Sequence, residues 1–139
     1  MRYRKGFKYQ LDEIEIFQTS FRPKKDIITR FVVLRESGQL ELLEGFAWDG
    51  PSGPVIDRKT NMRGSAGHDG LYRLMRKGLL DHRLWKIADI CFGRWIAEDG
   101  AWPITVWADL TGLAIAKGAA ANPKNIAKVY EINNGAYNG

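Results

Sequence analysis

Apolar residues fall into two regimes along the chain. In the first part they alternate with polar ones or gather in short runs. Further on they recur every three or four residues. Glu13-Ile14-Glu15-Ile16-Phe17 is an alternating run and predicts a half-buried strand, which Lys8 to Leu11 extends. Asp26 to Leu34, rich in Ile, Phe and Val, predicts a second strand. Leu40 to Leu43 returns after the turn signal Glu36-Ser37-Gly38-Gln39. The period then changes. His68, Leu71, Tyr72 and Met75 form one helical stripe, and Trp85, Asp89, Phe92 and Ile96 form another, flanked by Leu84, Ala88 and Trp95. Thr60 or Asn61 suits the first helix cap and Asp81 the second, while Gly78 and Gly100 suit helix stops. Trp102-Pro103 opens a third helix with Ile104, Trp107, Leu110 and Ala114 on one face. Asn122-Pro123 opens a short fourth one through Tyr130, ended by Asn133-Asn134-Gly135.

These elements predict one α+β domain over residues 1–139. A small antiparallel N-terminal sheet (1–44) leads into an ordered Gly/Pro loop (45–59). An antiparallel core helix pair (60–100) follows, then C-terminal helices and a tail (101–139). The loop carries Gly45, Gly50, Gly53, Pro51 and Pro54, which deny it a regular element, yet Phe46 and Trp48 give it large apolar anchors. A chain of 139 residues that is 45% hydrophobic can bury a core, which argues against disorder. The apolar segment from Ala101 to Ala121 is interrupted by Pro103, Asp109 and Lys117, so it predicts no membrane span. Met1 to Lys5 is basic, but no apolar stretch of a secretory signal follows. A soluble protein is expected.

Charge and cysteine content narrow the chemistry. The lone Cys91 rules out an intramolecular disulfide or a paired-cysteine metal motif, and its place between Ile90 and Phe92 predicts a buried, inert thiol. The net charge of +5 is dispersed in ones, twos and threes. It predicts a solvated basic surface with weak, sequence-indifferent nucleic-acid contact at most. The densest local group is Arg73, Arg76, Lys77 and Arg83, around the turn between the two core helices.

Candidate chemistry sits on the apolar stripes, where ionisable residues are least expected. His68 lies ten residues before Gly78, and Asp89 eight after Asp81. At the helical rise both fall about 12–15 Å from the turn, on facing stripes. An imidazole and a carboxylate in one apolar seam must satisfy each other or a third group. With Asp49 in the Gly/Pro loop and Asp69 beside His68, two readings stand. Asp49, His68 and Asp89 can ligate a divalent metal, with His68 and Asp69 in acid–base roles. Alternatively Asp89 accepts from His68, Tyr72 or a loop amide, as a structural clasp that holds the loop to the helices. His82, near an exposed helix start, predicts a surface residue. Ser52 and Ser65 lack a nucleophile elbow. The adjacent His68-Asp69 is similar to the pair that names a group of phosphohydrolases, but the upstream histidines of that group are absent.

Three blocks taken together carry a more specific likeness. Gly45-Phe46-x-x-Asp49-Gly50-x-Ser52-x-Pro54, His68-Asp69-x-Leu71-Tyr72 and Ala88-Asp89-x-x-Phe92 resemble the core of the phage and prophage domain-of-unknown-function family 1353. The likeness covers residues 45–97. Pro51, Gly53 and Gly70 depart from the family's usual residues, and the C-terminal part lies outside it. The resemblance implies strands before the first block and paired helices after it. It also implies origin in a tailed-phage genome, location in the virion or host cytoplasm, and other phage proteins as partners. It supplies no reaction. Asp49, His68, Asp69 and Asp89 stand together in its pattern, which fits a polar metal-binding pocket with hydrolytic chemistry. It fits equally a non-enzymatic virion or assembly component held by the clasp.

Overall fold

The structure is a computed structural model that describes residues 1–4, 9–50 and 59–116. Seven short strands come first: β1 (Tyr3–Arg4), β2 (Tyr9–Leu11), β3 (Glu15–Gln18), β4 (Ile27–Ile28), β5 (Val32–Leu34), β6 (Gln39–Leu42) and β7 (Ala47–Trp48). Among the described residues three helices follow: α1 (Lys59–Arg76), α2 (Trp85–Glu98) and α3 (Pro103–Ala116), with a 3₁₀ turn at His82–Leu84 before α2. The fold is α+β, with antiparallel sheets followed by an antiparallel helix pair, as the sequence predicts.

The strands form two sheets rather than one. β3-β6-β5-β4 is a meander-like antiparallel sheet, and β1-β2-β7 is a second, smaller one. The predicted strand over 26–34 is broken in two, because the Thr29 hydroxyl accepts from Val32 N–H and donates to the Val32 carbonyl, closing a tight turn. The predicted loop contributes a strand of its own: Trp48 pairs with Tyr9, and Ala47 with Gln10.

The alternating run also turns the opposite way from its hydrophobic pattern. Phe17 goes inward, in one row with Leu40, Leu34 and Ile27. Ile14 and Ile16 are exposed instead. Glu15 lies on the inner side because Arg63 of α1 reaches it, with Nε 2.8 Å from its carboxylate. One residue of register sets every side chain of a strand, and here Phe17 and the Glu15–Arg63 pair decide it.

Helix α1 is the centre of the molecule, buried on nearly every side. Its glycines allow this. A Cβ on Gly64 would lie 2.8 Å from Ile96, one on Gly67 would lie 2.7 Å from Trp95 and 2.8 Å from Phe17, and one on Gly70 would lie 2.7 Å from Leu42. Each glycine costs a helix about 1 kcal/mol relative to alanine. Full burial of each large side chain packed there returns about 1.5–3 kcal/mol. The helix begins at Lys59, so Thr60 and Asn61 lie inside it rather than capping it. Asn61 is buried and donates to Asp109 of α3 at 3.4 Å.

The predicted stops and second cap are present. Gly78 and Gly100 have φ of 73° and 94°, and Asp81 accepts from the Arg83 N–H at 3.0 Å. Helix α3 starts at Pro103 but is rotated from its predicted face. Val106, Asp109 and Leu110 turn inward, with Leu110 against Gly93, while Ile104 and Trp107 are exposed. The Asn61–Asp109 bond and the space above Gly93 fix that rotation. The fourth predicted helix lies outside the described residues.

Candidate functional site

The seam between α1 and α2 brings together the two stripe residues that the sequence places level with each other. His68 Nε2 lies 2.6 Å from Asp89 Oδ1, and the Tyr72 hydroxyl donates to the same oxygen at 2.7 Å. His68 and Tyr72 are one helical turn apart, so their rings stack, with centroids 4.1 Å apart. Phe92, one turn beyond Asp89, meets the imidazole edge-on at 5.5 Å. His68 is 8% exposed and Asp89 6%. Burial, and then the charge of Asp89, pushes the Tyr72 phenol far above its ordinary value, so it stays protonated and donates. The imidazole bonds Asp89 as a donor through Nε2–H. The second oxygen, Asp89 Oδ2, is buried and has no hydrogen-bond partner among the described residues.

The other predicted site residues lie elsewhere. Asp49 is exposed just after β7. Asp69 follows His68 by about 100° around the helix and leaves the seam. Its carboxylate lies 3.0 Å from Arg73 and 3.9 Å from Arg76. His82 sits half-buried in the 3₁₀ turn, and Cys91 is a buried free thiol. Among the described residues no three His, Cys, Asp or Glu side chains are grouped to hold a metal ion. A cation at Asp89 Oδ2 would have to draw its further ligands from outside them, since structural and catalytic metal sites need three or four protein donors.

A second polar assembly ties β7 to α1, and it is built on Arg73, which the sequence suggests belongs to the solvated basic surface. Arg73 is 2% exposed. Its guanidinium lies 4.1 Å from the centre of the Phe46 ring, and Nη2 donates to the Ala47 carbonyl at 2.7 Å and to Asp69 at 3.0 Å. Arg76 is buried as well. Of the predicted basic cluster only Lys77 and Arg83 are exposed, and Arg83 is engaged by Asp81 at 2.8 Å. Trp48 adds to the same seam by donating from Nε1 to Ser65 at 2.9 Å, and Ser65 in turn donates to the Met62 carbonyl. Thus Arg73 and Ser65 hold the Phe46–Trp48 segment onto α1, the task that the clasp reading assigns to Asp89. The readable signal was the spacing Ser65, Asp69, Arg73, which puts three polar side chains on one stripe of a helix with no exposed face to spare.

Compared with models of known protein families, with curated proteins and with solved structures, the chain matches none.

Proposed function

We propose that the chain is a small phage- or prophage-encoded component of the virion or of its assembly, non-enzymatic, in which His68, Tyr72 and Asp89 lock the helix pair. The observation that carries the clasp is convergence: both donors of α1 spend their hydrogen bonds on one oxygen of α2, inside an apolar seam. A catalytic imidazole needs reach to a substrate, and this one is covered by Tyr72 and Phe92. Support for the phage origin is the sequence likeness over residues 45–97 alone. Location in the virion or host cytoplasm, and contact with other phage proteins, belong to the same proposal.

One observation favours a second reading, a metal-binding pocket with hydrolytic chemistry. Asp89 Oδ2 is a buried carboxylate oxygen without a partner among the described residues. Such an oxygen usually bonds a water or an ion. Elemental analysis of the purified protein, together with melting in the presence and absence of chelator, separates the two. The clasp predicts no stoichiometric metal and an unchanged melting temperature. A stoichiometric divalent metal, with stability lost to chelator, would establish the second reading instead.

A further inference from the structure

No further inference is drawn: the strongest candidate, the exposed apolar patch that Trp102, Ile104 and Trp107 form along the outer face of α3, carries nothing, because nothing in the structure shows what covers it.

Discussion

Replacing Arg73 by leucine removes the group that joins β7 to α1. The guanidinium donates to a buried carbonyl, Ala47, and to Asp69, and it covers the Phe46 ring. A hydrogen bond from a charged donor contributes about 1.5–3 kcal/mol, and a cation over an aromatic face about 0.5–2 kcal/mol. The leucine also leaves the Ala47 carbonyl without this donor, while returning some apolar burial. The expected loss is about 3 kcal/mol, within the range for breaking a buried charged contact. That corresponds to a fall in melting temperature on the order of 10 °C for a domain of this size. Urea unfolding at neutral pH measures it as a lower midpoint with the slope unchanged. The control is Arg83→Gln, whose side chain is 81% exposed; it should shift stability by no more than about 0.5 kcal/mol. If Arg73→Leu costs no more than Arg83→Gln, Arg73 belongs to the solvated basic surface and this account of the second seam is wrong.

Two further outcomes follow from the packing and the charges. Gly67→Ala should destabilise by about 1–2 kcal/mol, because overpacking against the buried Trp95 and Phe17 rings outweighs the helix preference for alanine; a more stable variant would mean that the rings give way. Arg35, through a bond at 2.7 Å, holds the Glu41 carboxyl below its ordinary value. A lowered pKa stabilises the fold above the unfolded value near 4.5, and the contribution is lost as pH falls through the folded one. Glu41→Gln should therefore lose less stability than the parent between neutral and acidic pH, and parallel stability–pH curves would refute the link.

How far the sequence carries depends on whether a residue's role is set locally. Helix stops at Gly78 and Gly100, the Asp81 cap and the start of α3 at Pro103 are local matters of backbone chemistry, and the structure has each of them. The level placement of His68 and Asp89 needs only helical rise and a short connection, so it was legible too. What failed depended on partners far along the chain. Ile14 and Ile16 look like core residues until Arg63 draws Glu15 inward. Arg73 looks like surface charge until Phe46 and Ala47 close over it. The face of α3 is decided by Asn61 and Gly93, neither of which its own periodicity can reveal. Gly64, Gly67 and Gly70 read as weak helix positions, and their value appears only when Ile96, Trp95, Phe17 and Leu42 are seen against them.

The central claim is that His68 and Asp89 act on each other across the helix pair. A double-mutant cycle with His68→Gln and Asp89→Asn, read by denaturant unfolding in the presence of chelator, measures that directly. The account predicts that each single substitution costs about 1–3 kcal/mol. The pair should then cost less than their sum, with a coupling of about 1–2 kcal/mol. Additivity to within about 0.5 kcal/mol would contradict it, since two side chains that share a 2.6 Å hydrogen bond in a buried seam cannot contribute independently.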